Sequence, residues 1–338
     1  MTHRSFRLTL LARADQTGLG YQTLSYYKHL QPDRTIVIDI SNLNSNIQHY
    51  DWYQNAELIR GIPSDQQVMN ILRDTDVLLT AETPYNLNLY TIARRMGVKT
   101  VCVENPEFYD HIKYPQFDMP DLIILPSTWQ QQEITQHSTS RGTKVVQLHH
   151  PVDRSDITFR LRTTRKFLHI AGKPAANDRN GTFDFLEACQ DGIITTQDDK
   201  LAERIKRRYR NTRVLSNVQD QNWLYQLGDV LVLPRKYGGN CLPLNEALAS
   251  GMPVIMPDIE PNSHILPKEW LVPASKVGFF TPRTKVDIHQ VDIQALRDKL
   301  NWFRTCDIEV ESRKASDLAD TISWETLLPK WLTALENV

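Results

Sequence analysis

Short, unbroken apolar runs alternate with longer amphipathic patterns along almost the whole chain, and they do so in two successive sets. That alternation is the mark of parallel sheets covered by helices, because a strand buried on both faces reads as a continuous apolar run. In the first half, residues 6–12, 35–40, 76–80, 99–103, 122–125 and 144–148 read as strands, and 20–30, 64–72 and 86–96 as helices. In the second half, 166–170, 213–215, 229–233 and 253–256 read as strands, and 181–189, 200–209, 243–250 and 291–303 as helices. The predicted class is α/β, with two Rossmann-like domains in series, 1–152 and 153–320, separated at 151–165 by a polar, charged stretch without a period. Trp324, Leu327, Leu328, Trp331, Leu332 and Leu335 follow helical spacing and predict a C-terminal helix in 321–338, read as a crossover helix that ties the domains together or, more plainly, as a cover on one of them. Ser323 suits its cap, and Pro329 inside the run predicts a kink or a late start.

The balance of charge excludes some partners. The 338 residues carry a net charge of -1, so the molecule as a whole has no strong pull toward nucleic acid or membrane. Residues 154–213 depart from that balance, with 14 Lys/Arg against 8 Asp/Glu. The first apolar run, flanked by Arg4 and Arg7, is too short for a secretory core and lacks a cleavage site. No run approaches the roughly 20 apolar residues that span a bilayer. Cys102, Cys189, Cys241 and Cys306 are scattered without metal-ligand spacing, and reduced thiols in a cytoplasm are the expectation.

The most informative stretch is residues 231–255, which reads as a strand, a glycine loop, a helix, a tight turn and another strand. A loop leaving the carboxyl end of a parallel strand is where open α/β sheets bind ligands. Gly238-Gly239 admits close backbone approach, Pro243 fits the first helical position, and amides at that helix start can hold an anion such as a diphosphate. The pattern Leu242-Pro243-x-x-Glu246-Ala247-x-Ala249-x-Gly251-x-Pro253-Val254 resembles the donor-site signature of retaining GT-B glycosyltransferases of the family 4 type. The resemblance implies two Rossmann-like domains facing across a cleft, and a glutamate at Glu246 that hydrogen-bonds the ribose of a donor nucleotide. As a bare pattern, Glu246 also fits a residue that complements the helix dipole. The family carries a second glutamate eight positions earlier, on the donor sugar; here that position is Gly238, preceded by Arg235 and Lys236. The resemblance then leaves backbone amides of Gly239, Asn240, Cys241 and Leu242 to face sugar and phosphates.

Two further stretches resemble the same family. His169-Ile170-Ala171-Gly172-Lys173-Pro174, followed by Asp178-Arg179-Asn180-Gly181-Thr182, is similar to its strand, loop and helix that aim two cations at the diphosphate. This implies Gly172, Lys173 and Arg179 as donor contacts; the plain alternative is a pair of solvated loop cations. Asp15-Gln16-Thr17-Gly18-Leu19-Gly20 follows the first strand, where the resemblance implies that Gly18 and Gly20 approach the phosphates. Asp15 is a candidate catalytic base, or a loop carboxylate that caps the next helix. Glu104 is the second catalytic candidate, with Glu82 and Glu107 also near strand ends. His149-His150 reads as structural or hinge-like rather than metal-binding.

The implied reaction is transfer of a sugar from a nucleoside diphosphate sugar, a UDP-sugar first, to an acceptor hydroxyl, with no cofactor besides that substrate and no metal. No Asp-x-Asp metal site stands out. The Pro234-Arg235-Lys236-Tyr237-Gly238-Gly239 variant is similar to phage-encoded relatives, which implies a hydroxymethylated pyrimidine in phage DNA as one acceptor. The basic helix 200–210, with Leu201, Ile205 and Tyr209 as its buried stripe, suits such a polyanion together with Arg235 and Lys236, and equally suits a plain solvated face. Saccharide, lipid-linked or protein acceptors, a sugar-nucleotide-binding protein without turnover, and a GT-B epimerase or phosphorylase fit the same motifs.

Overall fold

A computed structural model describes residues 5–44, 46–109, 117–173, 175–218 and 220–338; Arg4 and Pro174 lie outside the described residues. In chain order the first part gives β1 (Leu8–Ala12), α1 (Gly18–Leu30), β2 (Arg34–Asp39), α2 (Ser41–Asn44), β3 (Glu57–Arg60), α3 (Asp65–Leu72), β4 (Val77–Ala81), α4 (Leu89–Met96), β5 (Lys99–Val103), β6 (Leu122–Leu125), α5 (Gln131–Thr139) and β7 (Lys144–Gln147). The second gives β8 (Phe167–Gly172), α6 (Thr182–Ala188), β9 (Ile193–Thr196), α7 (Asp199–Arg208), β10 (Arg213–Ser216), α8 (Gln221–Leu224), β11 (Val230–Val232), α9 (Leu242–Ala249), β12 (Val254–Pro257), α10 (Asn262–Ile265), β13 (Leu271–Val272), β14 (Ala274–Phe280), β15 (Val286–Val291), α11 (Ile293–Thr305), α12 (Ile308–Thr321) and α13 (Trp324–Glu336). The chain divides into two compact units, Met1–His150 with Leu327–Val338, and Pro151–Thr326.

The first unit holds one parallel sheet in the order β3-β2-β1-β4-β5-β6-β7. Every residue of β1, β4 and β6 is buried, which is why these segments read as unbroken apolar runs. Val68, Ile71 and Leu72 of α3 and Leu89, Tyr90 and Ala93 of α4 pack with Leu11, Ile36 and Leu78 of the sheet. Each such aliphatic side chain contributes about 1.5–3 kcal/mol when fully buried. Trp331 of α13 closes the same unit against Tyr26, ring centroids 5.1 Å apart.

The second unit repeats the plan with a parallel sheet in the order β10-β9-β8-β11-β12-β13, and adds a separate antiparallel hairpin, β14–β15. In both units the first strand of the set lies between the second and the fourth. Successive connections therefore diverge on either side of the β1/β4 and β8/β11 pairs, opening a crevice at their carboxyl ends.

The departures from the sequence reading have local causes. The edge strand β3 is exposed at three of its four positions, so it carries no apolar run to find. Val291 ends β15 rather than opening a helix; Asp292 then caps α11 by accepting from the Ala295 amide at 3.0 Å. The sequence reading places no element at β9, β13, β14, β15, α2, α5, α8, α10 or α12. Pro329 neither breaks nor delays α13, and it sits on the exposed side of that helix. On α7 the fully buried pair is Ala202 and Ile205, with Leu201 and Tyr209 only half-buried.

Candidate functional site

In the second unit, two loops meet at the β8/β11 switch point. The loop after β8 turns at Gly172 (φ +64) and returns to α6 through Asp178, Arg179 and Gly181 (φ +70). A side chain at Gly181 would drive into the Pro234 carbonyl, so glycine there lets this loop lie directly on the loop after β11. The Lys236 amide donates to the Arg179 carbonyl at 2.8 Å, and the Tyr237 hydroxyl to the Ala176 carbonyl at 2.7 Å. Two stretches about sixty residues apart in sequence thus form one surface. Beneath it, His169 joins the two strands, with Nδ1 2.8 Å from the Val232 carbonyl and Nε2 3.0 Å from Thr182 Oγ1. Burial pulls its pKa down to about 4, so it is a neutral strut.

Gly238 sits at the centre of that surface in the left-handed region (φ +117). The guanidinium ends of Arg235 and Arg179 both lie where its Cβ would be. Two cations therefore occupy the space that any side chain at this position would take. Arg235 is 5% exposed and folds the loop by donating from Nη1 to the Asn240 carbonyl at 3.0 Å. Arg179 lies over the Tyr237 ring at 5.5 Å. Lys173 is exposed.

The two helix starts at this surface differ. At α6, the Asp178 carboxylate accepts from the Thr182 and Phe183 amides, both at 3.0 Å, so a side chain of the protein already takes that positive end. At α9, Cys241 gives no side-chain cap and the first turn has no acidic residue. The helix begins at Leu242 with Pro243 second, one residue earlier than expected. Its dipole and the amides of Gly239 to Leu242 lie at one place with Arg235 and Arg179, and Asn240 Oδ1 is buried there without a hydrogen-bond partner among the described residues. Glu246 follows on α9, and Tyr225 donates its hydroxyl to Glu246 Oε2. Burial, with the Glu246 carboxylate beside it, pushes the Tyr225 phenol well above its ordinary pKa and keeps it a donor.

The hairpin braces the loop from behind. Lys236 Nζ lies 3.5 Å from Asp184 Oδ2 and 3.2 Å from Gln290 Oε1, Gln290 donates to Asp184 Oδ1 at 2.7 Å, and the His289 amide donates to the Lys236 carbonyl at 2.9 Å. Lys236 and the buried Arg235 therefore do not extend the exposed basic face of α7, contrary to the sequence reading.

In the first unit, the β1/β4 switch point is occupied by the protein's own charges. Asp15 is 0% exposed; it pairs with Arg13, and accepts from Thr17 Oγ1 at 2.6 Å and Asn46 Nδ2 at 3.0 Å. Thr17, not Asp15, caps α1, accepting from the Gly20 amide at 3.1 Å. Gly20 is required because a Cβ would strike the Asp15 carbonyl, whereas the same position at Gly18 faces open space. Glu104 is also 0% exposed and receives the Cys102 thiol at 3.6 Å. Burial raises that thiol's pKa, with the Glu104 carboxylate adding to it. His150 is buried against Tyr26 at 3.2 Å, and burial pulls its pKa down to about 3. The chain does contain one Asp-x-Asp stretch, Asp74-Thr75-Asp76, and both carboxylates engage Arg7, at 3.4 and 3.3 Å. Among the described residues no group of three or more His, Cys, Asp or Glu is placed to hold a metal ion, and no helix is long and apolar enough to cross a membrane.

Sequence reasoning missed Tyr225, Asp178 and the buried Arg162. Tyr225 and Arg162 act through contacts far along the chain, whereas Asp178 lies inside the second family-like stretch and bonds amides only four and five residues on. No family model and no curated protein matches the sequence. Among solved structures, the chain is similar to HepE from Anabaena in complex with UDP, at 13% identity and TM-score 0.73 over 98% of this chain and 100% of that one. A glycosyltransferase from Rickettsia africae aligns at 12% identity and TM-score 0.70 over 99% of both chains. Sucrose-phosphate synthase from Thermosynechococcus elongatus aligns at 14% identity and TM-score 0.63 over 97% and 98%. The fold is thus the two-sheet α/β architecture of GT-B glycosyltransferases.

Proposed function

We propose that the chain is a GT-B glycosyltransferase that takes a nucleoside diphosphate sugar, with the second unit carrying the donor and the first the acceptor. The observation that supports this most is the convergence of Arg179, Arg235 and the uncapped start of α9 on Gly238, with Glu246 further along the same helix. As the glycosidic C–O bond breaks, charge develops on the leaving diphosphate, and cations and amides already aimed there stabilise it without reorganising. Lys173, exposed on the same loop as Arg179, adds a third cation. Glu246 accepts a ribose hydroxyl. The structural relative HepE has been solved with UDP, with UDP and glucose, and with UDP-glucose, which supports a UDP-sugar as the first donor to test. Asp15 and Glu104 are sealed from solvent in this conformation, so transfer here rests on leaving-group stabilisation, and Asp15 organises the loop after β1.

For the acceptor, one observation favours modified duplex DNA. Lys200, Arg204, Arg207 and Arg208 lie along α7, exposed and without a carboxylate partner among the described residues. Lys200 and Arg204 also line a cavity of about 300 Å³ that includes Lys173 and Arg179. Cations one and two turns apart on a helix can follow a phosphodiester backbone. The deciding experiment incubates the protein with a panel of nucleotide sugars and measures released nucleoside diphosphate with and without hydroxymethylated duplex DNA. Binding of a donor without release over hours would leave a sugar-nucleotide-binding protein. A DNA affinity that does not fall with salt would remove the nucleic-acid acceptor and leave saccharide, lipid-linked or protein hydroxyls.

A further inference from the structure

Residues 274–291 interrupt the strand-and-helix plan of the second unit and form a separate two-stranded antiparallel ribbon, β14–β15. Directly paired residues share a face, so the register gives the ribbon two different sides. On one side, Phe280 pairs with the buried Val286 and packs on Tyr237, ring centroids 4.9 Å apart. Gln290 bonds both Lys236 and Asp184. This side is therefore fixed to the loop that carries Arg235 and Gly238. On the other side, Phe279 pairs with Asp287, and Lys276 reaches that carboxylate at 2.6 Å. Phe279 is 60% exposed, and Val277, at the register shift between Lys276 and Gly278, is 59% exposed. Lys285 lies over the Phe279 ring at 4.8 Å. The ribbon carries Lys276, Arg283 and Lys285 against Asp287 alone, in a chain whose net charge is -1.

We propose that the β14–β15 ribbon enters the major groove of a duplex DNA acceptor and reads the substituent at C5 of a pyrimidine there through Phe279 and Val277. The inference rests on the reading of duplex DNA as the acceptor, and it adds the element that recognises it. The C5 position of a pyrimidine opens into the major groove, so a hydroxyl attached at C5 is reached from that side. That groove is about 12 Å wide and admits a two-stranded ribbon, whose strands lie about 4.8 Å apart. β14–β15 has this form, and its inner side is already bonded to the donor loop. An exposed aromatic ring with an aliphatic neighbour suits apolar contact with a C5 substituent. The positive charge of the ribbon complements the phosphates that wall the groove. A membrane surface would call for a broad apolar face, whereas here two apolar side chains stand among cations. Contacts also run from Phe280 through Tyr237 to Arg179, which shares a cavity with Lys200 and Arg204 of α7. The labour then divides: α7 holds the backbone whatever the sequence, and the ribbon discriminates.

The test measures equilibrium binding of two duplexes of one sequence, carrying cytosine or 5-hydroxymethylcytosine, over a range of salt. It compares the full chain with Phe279→Ala and Arg207→Gln, with thermal unfolding followed in parallel. The wild type should prefer the substituted duplex by about fourfold or more, the value of one apolar group taken from water. Phe279→Ala should reduce that preference to under about twofold and leave the salt slope as it was. Arg207→Gln, on the exposed side of α7, should do the reverse, lowering the salt slope by about 1 and keeping the preference. A Phe279→Ala variant that keeps the preference, or weakens both duplexes equally, would overturn the proposal and leave the DNA acceptor standing. So would phosphatidylglycerol vesicles that bind the wild type and not Phe279→Ala while duplex binding is unaltered, since the ribbon would then serve a membrane. A wild type that binds neither duplex at low salt would remove the nucleic-acid acceptor and this inference with it, and leave the donor reading in place.

Discussion

The two units share a strand order and differ in what they do with charge at the same topological position. At the β1/β4 switch point, Arg13 pairs with Asp15 under Thr17 and Asn46, so these two charges are spent on one another. At the β8/β11 switch point, Arg179 and Arg235 are brought onto a glycine beside a helix start that no side chain caps. The topology opens a crevice in both; the loop residues decide whether the protein fills it or leaves it for a ligand.

That contrast can be broken most forcefully at Asp15. Asp15→Ala leaves Arg13, only 6% exposed, as a buried cation without its partner, and should cost about 3–5 kcal/mol in urea unfolding. UDP affinity of the folded protein should not change, because the proposed donor residues lie in the other unit; a loss of stability under about 1 kcal/mol would mean the pair is not what fills the first crevice. Acid should test both units together. His150 and His169 have folded pKa values depressed to about 3 and about 4, against an ordinary value near 6.5. Below 6.5 the unfolded chain binds protons that the folded one refuses. Their stabilisation is therefore complete above pH 6.5 and is lost as the pH falls through about 4 for His169 and about 3 for His150. It is on the order of 3 kcal/mol for His169 and about 5 kcal/mol for His150. A thermal midpoint that stays level from pH 7 to 4.5 would contradict this.

Smaller effects sharpen the comparison. Arg235→Ala should weaken UDP by about tenfold to a hundredfold and leave uridine unchanged, the loss expected of a charge-assisted contact to phosphate; calorimetry with the two ligands separates the outcomes. An equal loss for both would place Arg235 away from the diphosphate. The mildest change is Thr17→Ala, which removes the α1 cap and should cost about 1 kcal/mol in the first unit with no effect on UDP.

Much of this was legible in the sequence because it depends on neighbours. The buried strands announced themselves as apolar runs, and the glycines and prolines of 231–255 marked a strand, loop and helix in the right order. What could not be read depends on distance along the chain. The exposed β3 has no hydrophobic period, and Val291 looks the same ending a strand as opening a helix. Asp15 was weighed as a base or a cap because its burial under Arg13 requires a folded sheet to see. In sequence, Gly238 stands only as a departure from the resembled pattern; in three dimensions it is room for two arginines. Arg162 looked like one more linker charge until its four acceptors, drawn from Tyr225, Gly228 and Ser250, came together.

The β14–β15 hairpin has a kinetic consequence. Through Lys236, Asp184 and Gln290 it staples the 235–240 loop before any ligand arrives. A slack loop would have to freeze on each encounter, at about 1–2 kcal/mol for every residue immobilised. A stapled one presents a finished surface, so capture should proceed in a single step whose observed rate rises linearly with ligand concentration and shows no plateau.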